Sequence, residues 1–389
     1  GRSGAQPANP FRIDTDEERG FREDVRSWIA DSLPDDLRGQ VLRPDHARLQ
    51  VWQRLLYERG WIAPHWPREA GGMGASVREQ LILVEEMVRA GAPQLLTPGL
   101  GFVGPLLFEY GTEAQKDQHL GPILRSETEW AQGYSEPGAG SDLASLRTMA
   151  RRTDDGFVVD GHKIWQTWGH YADWMFTLVR TDTEARKYDG ISCLLVDLRS
   201  PGITVRPIIT ITGEDELSEV FFDSVKVPAE NLVGDLNGGW RLANALLTHE
   251  RLGGSNPQFC MAALERTRRI AAETGAMDDP AFRDRLAVLE IKTLSLAALF
   301  ENINELREAG GLKGPETSVL KIVATQTLQA ISDLMTEASG GHAADALDQA
   351  AGIASTAAAN YLQSRRATIF GGTLEIHKGI VAKRVLDLP

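Results

Sequence analysis

The sequence predicts an α+β protein with a helical domain first, a β domain in the middle and a helical bundle last. Apolar residues recur at three- and four-residue spacing in the first and last parts of the chain, which is the period of a helix. The middle part instead has short β-branched and aromatic runs separated by turn residues. With 389 residues, the chain is also longer than one small core supports, so several domains are expected.

The first domain, residues 1–126, is predicted to be helical. Its apolar helix faces are Phe21-Val25-Trp28-Ile29, Leu49-Trp52-Leu55-Leu56 and Leu81-Leu83-Val84-Met87. Thr112 and Gln115 have the spacing of a capping box, in which each side chain satisfies a free backbone N–H at a helix start. The polar stretch that opens the chain lacks the apolar core of a signal peptide and is left out of this fold prediction.

The second domain, residues 127–235, is predicted to be a β domain. The predicted strands are GFVVDGHKIW, WMFTLVR, ISCLLVDL, ITVRPI and EVFFDSVKV. Asp154-Asp155-Gly156 and Val159-Asp160-Gly161 are typical of turns. No helix-length insert separates the strands, so a parallel α/β sheet is not predicted.

The third domain, residues 236–389, is predicted to contain about four long antiparallel helices and a final shorter one. Asp279-Pro280 and Gly314-Pro315 place proline in a first helical turn, and Ser339-Gly340-Gly341 ends a long helix. Near the end the chain reads IFGGTLEIHK, from Ile369 to Lys378. Each glycine costs a helix ~1 kcal/mol relative to alanine, so the adjacent pair indicates a turn or a close approach.

Composition and charge argue against several classes of function. The formal net charge of −13 does not attract nucleic acid, and no apolar stretch has the length and composition for membrane insertion. Cys193 and Cys260 form neither a disulfide framework nor a metal motif, which suits a reducing cytoplasm, and both are predicted to be buried. His249-Glu250 is not part of an HExxH sequence, so no metal site is predicted.

Two segments of the β domain have the composition of a ligand site. Residues 134–148 read YSEPGAGSDLASLRT, and this is either an ordinary loop or a run of small residues that lets Ser135, Ser141 and backbone N–H groups approach a planar or phosphate-bearing ligand. It is neither a P-loop nor a complete GxGxxG motif. Residues 160–174 place three tryptophans around Thr167, and these are either core residues or a platform for a ring cofactor.

Four motifs in order resemble those of the acyl-CoA dehydrogenase family over nearly the full chain. YSEPGAGSD resembles its flavin loop and GHKIWQTWGHYADW its second flavin segment. EVFFDSVKVPAENLVGDLNGGW resembles its domain-closing strand and linker, and IFGGTLEIHKGIVAKRVL its C-terminal signature. The resemblance implies the family's fold, with an N-terminal helical domain, a middle β domain and a C-terminal helical bundle.

The resemblance implies FAD as cofactor and a set of contacts to it. The implied contacts are Gln132, Tyr134, Ser135, Trp165, Thr167, Thr373 and Glu375. Trp165 matches the aromatic residue packed on the isoalloxazine, and Thr167 matches the hydroxyl near flavin N5, the hydride acceptor. Thr373 and Glu375 match the adenosine end, where the family approaches a neighbouring subunit's cofactor. A homotetramer or homodimer is therefore implied.

The family's reaction removes an α proton from an acyl-CoA thioester while a hydride leaves the β carbon, and it needs a carboxylate base whose pKa is raised by burial. In medium- and short-chain members this base follows the aromatic residue of the C-terminal signature, where this chain has Gly371. In long-chain and isovaleryl-type members it comes from an E-R dipeptide, here Glu250-Arg251. Helix statistics alone favour a solvated Glu250, whereas the resemblance and the vacated position favour the base.

Other family positions complete the implied substrate site. Ser141 matches a serine at the phosphopantetheine, and Arg251 matches a structural arginine beside the base. Gly371 keeps the backbone N–H that helps to polarise the thioester carbonyl. The implied product is trans-2-enoyl-CoA, with electrons passed to an electron-transfer flavoprotein.

The sequence departs from the family pattern in two places. Trp168 stands where an asparagine is usual. The R-x-x-F-G turn that brings an Arg and a Phe to FAD is replaced by RRIAAETGAMDDPAFRDRLA, which resembles a bacterial subgroup that includes mixed tetramers. The alternatives are therefore a flavin-binding or scaffolding subunit of a heterotetramer that is inactive alone, and an oxidase of the same fold. The sequence does not predict the acyl chain.

Overall fold

The helices of the protein begin and end close to the positions that the capping signals predict. A computed structural model describes residues 9–95, 98–253, 255–312, 314–341 and 356–388, without the side chains of residues 247–253. In chain order the α-helices are α1 (Asp16–Ser32), α2 (His46–Arg59), α3 (Val77–Arg89), α4 (Gly104–Tyr110), α5 (Glu113–Leu124), α6 (Gly239–Gly253), α7 (Gln258–Thr274), α8 (Pro280–Glu308), α9 (Pro315–Ser339), α10 (Thr356–Arg365) and α11 (Leu374–Arg384).

Contacts divide the chain into two compact units. The helical unit contains Gly1–Leu49, Ala75–Gln94 and Thr248–Pro389, and the sheet unit contains Gln50–Gly74 and Leu95–Leu247. The first helical segment of the sequence thus contributes to both units.

Local signals set several helix ends as predicted. The Thr112 hydroxyl accepts from the backbone N–H of Gln115, whose side chain accepts from the Thr112 N–H in return. Asp279 caps α8, and Pro280 and Pro315 occupy first helical positions, where the missing N–H of proline costs nothing. Within the helical unit, α9 packs against α7, α8, α10 and α11, and Leu320 and Ile331 of α9 are fully buried.

A buried ion network links α1 and α3 within the helical unit. Arg22 is fully buried, and its guanidinium donates to Asp14 at 2.6 Å, to Glu85 at 2.8 Å and to Glu86 at 3.0 Å. Arg12 also donates to Glu85. Burial raises the pKa of Glu85, and the arginines only partly offset this effect. Such a network specifies the pairing of the two helices because an unpartnered buried charge is very costly.

The sheet unit is built around an eight-stranded sheet. The strands are β1 (Trp130–Gly133), β2 (Met149–Thr153), β3 (Gly156–Thr167), β4 (Trp174–Arg180), β5 (Ile191–Asp197), β6 (Ile203–Ile208), β7 (Leu217–Pro228) and β8 (Leu232–Val233). Their order is β6-β7-β3-β2-β4-β5-β8, and β1 pairs with β4. The five predicted runs form β3 to β7, whereas β1, β2 and β8 were not predicted as strands. Most pairs are antiparallel, and β1 and β2 pair with β4 in parallel.

One of the two predicted turns is wrong. Asp154 and Asp155 do connect β2 to β3, but Val159, Asp160 and Gly161 lie inside β3. A register shift between Val159 and Gly161 forms a bulge there, opposite β7. A Cβ on Gly161 would lie 2.5 Å from the hydroxyl oxygen of Thr148, so glycine is needed for close approach rather than for chain reversal.

An aromatic group with a buried histidine packs on the sheet unit. Trp130 of β1 stacks on Trp174 of β4, with ring centroids 5.7 Å apart, and His119 of α5 meets both rings edge-on at 5.0 and 4.8 Å. Burial lowers the pKa of His119 to about 4 because a charged imidazolium would lose its hydration there.

The two cysteines are buried, as predicted, and burial raises the pKa of each thiol to about 12. Within the described part of the chain, no helix is long and apolar enough to cross a lipid bilayer.

Candidate functional site

The predicted flavin loop leaves the end of β1, in the sheet unit. Gln132 is half-buried within β1, and Tyr134 is buried with its ring edge-on to Phe176, centroid to centroid 5.6 Å. Ser135 is half-buried, and its carbonyl accepts from the N–H of Ile164 at 3.0 Å, which ties the loop to β3. Ser141 is exposed further along the loop. The loop therefore keeps its aromatic residue inside and leaves Ser141 at the surface.

A buried ion pair that the sequence analysis missed holds this loop. One carboxylate oxygen of Glu136 accepts from the N–H of Thr148 at 2.8 Å and from Nζ of Lys163 at 2.9 Å, and the other accepts from the N–H of Arg147 at 2.6 Å. Lys163, on β3, also donates to the carbonyl of Tyr134 at 3.1 Å. The acidic residue within an otherwise small and polar loop was the available signal.

The electrostatics of this pair favour the ionised form of both groups at neutral pH. Burial lowers the pKa of Lys163 to about 8, and Glu136 partly offsets that effect. Burial opposes ionisation of Glu136, but the Lys163 ammonium and the N–H donors outweigh it and lower the pKa of this carboxyl. The loop is thus anchored by one carboxylate and one ammonium that solvent barely reaches.

Trp165 has a strained backbone and an exposed side chain. Its φ is +72°, and a register shift in β3 between Ile164 and Gln166 turns its indole outward, 56% exposed. Positive φ is costly for a bulky residue, so such a conformation points to a functional constraint. Thr167 ends β3 and is half-buried. Trp168 also has positive φ but is buried, so the three tryptophans do not form one surface platform.

A histidine network fixes the segment that follows Thr167. Nδ1 of His170 lies 2.9 Å from the Ser218 hydroxyl, and Nε2 lies 3.1 Å from a carboxylate oxygen of Asp215. The hydroxyl of Tyr171 donates to the same oxygen at 3.1 Å. Ser218 is fully buried, so this Ser-His-Asp arrangement cannot present a nucleophile to a substrate. Its effect is to hold residues 168–171 against the loop between β6 and β7.

Taken together, the sheet-unit residues fit a flavin. An outward indole can cover one face of a planar ring system, and a threonine hydroxyl two residues later can donate to its edge. Trp165 has a strained φ and an exposed side chain, and both support this fit. A tryptophan of the hydrophobic core would instead be buried.

The double glycine lies in a turn between α10 and α11, in the helical unit. Gly371 and Gly372 have φ of +64° and +91°, which side chains other than glycine rarely tolerate. Thr373 caps α11, with its hydroxyl accepting from the N–H of Ile376 at 3.3 Å, and Glu375 is exposed in the first turn of that helix. The predicted turn is therefore present, and both predicted adenosine-end residues lie at the start of α11.

A close approach also explains the second glycine. A Cβ on Gly372 would lie 2.8 Å from Nε2 of His377, a fully buried residue of α11. The same nitrogen lies 3.0 Å from the carbonyl oxygen of Gly371. On the other side of the turn, Nζ of Lys321 donates to the carbonyl of Phe370 at 3.0 Å. Neither Lys321 nor His377 was predicted from the sequence as a site residue.

The predicted base lies on α6, whose backbone is helical from Gly239 to Gly253. The side chains of Glu250 and Arg251 are outside the described residues, so their roles stay predictions. The predicted proximity of the Glu250 carboxylate to Gly371 also stays a prediction. Within the described part of the chain, no three His, Cys, Asp or Glu side chains form a group that could hold a metal ion.

The residues of the segment that replaces the R-x-x-F-G turn form a helix end, a buried core contact and a local hydrogen bond. Gly275 ends α7 in the left-handed conformation, with φ of +81°. Phe282 is buried in the core of the helical unit, and Arg283 donates to the carbonyl of Met277 at 2.7 Å. The phenylalanine of this segment therefore packs inside the unit.

Comparisons with known proteins agree along nearly the whole chain. Residues 15–127 match the acyl-CoA dehydrogenase N-terminal domain, residues 131–225 the middle domain and residues 237–386 the C-terminal domain. Acyl-CoA dehydrogenase FadE34 of Mycobacterium tuberculosis is 35% identical over 382 residues, or 97% of this chain, and the chain spans 50% of that relative's length. Acyl-CoA dehydrogenase IpdE1 of the same organism is 36% identical over 386 residues, covering 95% of this chain and 97% of the relative.

Solved structures show the same relationship. The Tcur3481-Tcur3483 steroid ACAD aligns with a TM-score of 0.88 and 32% identity, over 97% of this chain and 99% of the other. The ChsE4-ChsE5 complex from Mycobacterium tuberculosis aligns with a TM-score of 0.86 and 30% identity, over 97% and 99% of the two chains. With its order of helical domain, sheet domain and helical domain, this chain belongs to the acyl-CoA dehydrogenase family of flavoprotein oxidoreductases.

Proposed function

We propose that this chain is an FAD-dependent acyl-CoA dehydrogenase that converts an acyl-CoA thioester to trans-2-enoyl-CoA. The observation that carries the proposal is the exposed Trp165 indole, held at positive φ two residues before Thr167. This arrangement suits the face and the edge of a flavin ring, and it lies within the matched middle domain. Gln132, Tyr134 and Ser135 precede it as further cofactor-binding residues.

The chain's own residues then have separate tasks. The Glu136–Lys163 pair keeps the flavin loop in place, so Ser135 and Ser141 keep defined positions. Bound FAD supplies the acceptor for the hydride that leaves the β carbon. The protein must therefore remove only the α proton, and Glu250 is the proposed base, with Arg251 beside it. The electron pair of the α C–H bond becomes the second bond of the enoyl double bond.

Gly371 contributes through its backbone. Its N–H is proposed to donate to the thioester carbonyl oxygen, which draws charge away from the α carbon and makes the α proton more acidic. Thr373 and Glu375 are proposed to contact the adenosine end of FAD in a neighbouring subunit. A homotetramer or homodimer would supply that neighbour, and an electron-transfer flavoprotein is the proposed electron acceptor.

The test is the Glu250→Gln variant of the full chain loaded with FAD. It should retain the yellow cofactor and bind acyl-CoA, yet it should not bleach on anaerobic addition of substrate. Glu265→Gln is the matched control because Glu265 is an exposed glutamate on α7. Near-normal bleaching by Glu250→Gln would show that another group takes the proton. Peroxide formation in air would indicate an oxidase.

The second candidate function is a flavin-binding or scaffolding subunit that is inactive until a related subunit joins it. Two observations favour this alternative: Phe282 of the replaced turn packs into the core, and two similar solved structures are titled as pairs of named chains. The purified chain would then hold less than one flavin per subunit and show no turnover before a partner is added. Full flavin occupancy with turnover would exclude it.

The relatives also suggest where to look for the acyl group. One similar structure is titled a steroid ACAD, so we propose that a CoA thioester of a steroid side chain is the first substrate to test. A panel should also contain straight, branched, aromatic and dicarboxylic thioesters. A preference for a short straight chain, measured as kcat/KM, would contradict this choice.

A further inference from the structure

Two buried side chains form hydrogen bonds with consecutive backbone carbonyl groups of the double-glycine turn. Lys321, on α9, is 3% exposed, and its Nζ donates to the Phe370 carbonyl at 3.0 Å. The same ammonium lies 4.4 Å from the centre of the Phe370 ring, within the range of a cation–π contact. Phe370 itself is half exposed. The buried Lys321 therefore fixes the backbone of a turn whose Phe370 side chain is half exposed.

The second of these hydrogen bonds is made by His377. Its Nε2 lies 3.0 Å from the Gly371 carbonyl oxygen, and a carbonyl oxygen only accepts, so Nε2 carries the proton. Its Nδ1 lies 3.1 Å from the hydroxyl of Ser318 on α9. Both His377 and Ser318 are fully buried, which leaves the imidazole little room to rotate. The second carbonyl is thus fixed as firmly as the first.

The turn needs such fixing because its residues are glycines. Without a Cβ, glycine reaches both positive and negative φ, so a peptide group beside it can rotate at little steric cost. In a trans peptide the C=O and N–H point in opposite directions. A side chain that holds the Phe370 carbonyl therefore sets the direction of the Gly371 N–H.

We propose that Lys321 and His377 are positioning residues. Lys321 orients the Phe370–Gly371 peptide and His377 fixes the Gly371–Gly372 peptide that follows it, so that the Gly371 N–H donates to the thioester carbonyl of an acyl-CoA. The inference rests on the proposed function, which makes that N–H a substrate contact. Lys321 acts through polarisation as well as orientation. A cation on the carbonyl of a peptide withdraws electron density and strengthens the N–H of the same peptide as a donor.

The direct test compares crystal structures of the FAD-loaded wild type, Lys321→Met and a pair of His377 variants. Lys321→Met keeps the apolar stem but loses the donor, and the Phe370–Gly371 peptide should rotate or become disordered. His377→Leu should disturb the Gly371 carbonyl, whereas His377→Gln keeps an N–H donor and should restore the wild-type turn. An unchanged Phe370–Gly371 peptide in Lys321→Met, together with an unchanged Gly371 carbonyl in His377→Leu, would overturn the proposal. If Lys321→Met does not fold, the His377 pair decides.

Kinetics separate positioning from a merely structural role. On the thioester of the panel with the highest kcat/KM, Lys321→Met should lower kcat about tenfold and leave KM within about threefold, because the lost interaction acts on the transition state. Lys226→Met, at an exposed lysine of β7, is the matched control and should change neither constant. A loss confined to KM, or an equal loss in the control, would contradict the role.

The two proposals can fail separately. If none of the thioesters in the panel bleaches the wild type, the dehydrogenase proposal fails. The crystal comparison still decides whether Lys321 and His377 orient the two peptides on either side of Gly371. If the wild type turns over and the variants keep both kcat and the peptide orientation, the dehydrogenase proposal stands and the positioning proposal fails.

Discussion

The ammonium nitrogen of Lys163 lies 2.9 Å from a carboxylate oxygen of Glu136, and both side chains are buried in the sheet unit. This pair joins β3 to the loop that follows β1. It thereby couples the stability of the unit to the shape of the proposed flavin loop, because the same carboxylate accepts the N–H groups of Arg147 and Thr148.

Removing the ammonium should be costly. Lys163→Met leaves the Glu136 carboxylate buried without a cation, and we expect the free energy of unfolding to fall by about 3 kcal/mol. The double variant Glu136→Gln/Lys163→Met should recover part of that loss, since no buried charge is left. Urea unfolding of the apo chain measures both values. Equal stability of Lys163→Met and the wild type would show that the pair is not coupled to folding.

We expect substitution of Trp165 to change the stability of the chain and its flavin binding in opposite directions. Trp165→Gly should stabilise the apo chain by about 1 kcal/mol because glycine adopts φ of +72° without strain. The same change should weaken flavin binding at least tenfold, measured by fluorescence titration. Trp168→Gly is the matched control: it also has positive φ, but its buried indole would be lost, so it should destabilise the chain. A destabilised Trp165→Gly would instead indicate a packing role.

We expect the burial of His119 to make the folded protein less stable in acid. The pKa of His119 is about 4 in the folded protein and ordinarily 6.5. Between about pH 6.5 and pH 4, this histidine is therefore protonated in the unfolded chain and neutral in the folded chain. Stability from this group is complete above about pH 6.5, falls as the pH approaches 4, and levels off below. The full loss is about 3 kcal/mol. His119→Phe should remove this portion of the pH dependence in unfolding measured from pH 7 to pH 4; an unchanged profile would assign the acid sensitivity elsewhere.

Gly372 of the double-glycine turn and Gly379 of α11 should respond to alanine in opposite directions. Gly372→Ala places a Cβ at φ of +91° and 2.8 Å from the imidazole of His377, and it should cost about 1–3 kcal/mol. Gly379→Ala is the control, because among the described residues no atom beyond its chain neighbours and the backbone of its own helix lies within 4 Å of an added Cβ. It should add about 0.5–1 kcal/mol. Thermal unfolding compares them, and equal shifts would contradict the close approach.

Much of the fold was predictable because its signals are local. The capping box at Thr112 and the prolines at 280 and 315 act within one helical turn, so they mark helix starts in the sequence itself. The failed turn at Val159-Asp160-Gly161 shows the limit of such signals. Asp and Gly are typical of turns, but here the glycine admits the backbone of Thr148, which is a neighbour in space and not along the chain.

The candidate site was predictable in its residue types and less so in its support. The motifs around Trp165 and Gly371 predict where the cofactor and the substrate bind. Nothing in their spacing predicted that Trp165 would face outward at positive φ, since the register shift in β3 depends on its pairing with β7. Lys163 supports the proposed flavin loop in the sheet unit, and His377 supports the double-glycine turn in the helical unit. In the sequence both look like ordinary strand and helix positions.

The order of helical, sheet and helical segments, several helix ends and the family could be predicted from the amino-acid sequence, which also proposes the cofactor and substrate residues. The side chains that support these residues are seen only in the folded protein: Lys163 under the proposed flavin loop, and Lys321 and His377 under the double-glycine turn. Helix caps, turns and motifs act over a few neighbouring residues. Buried hydrogen bonds and ion pairs instead join residues far apart in the chain, and their strength comes from the burial that only the complete fold creates.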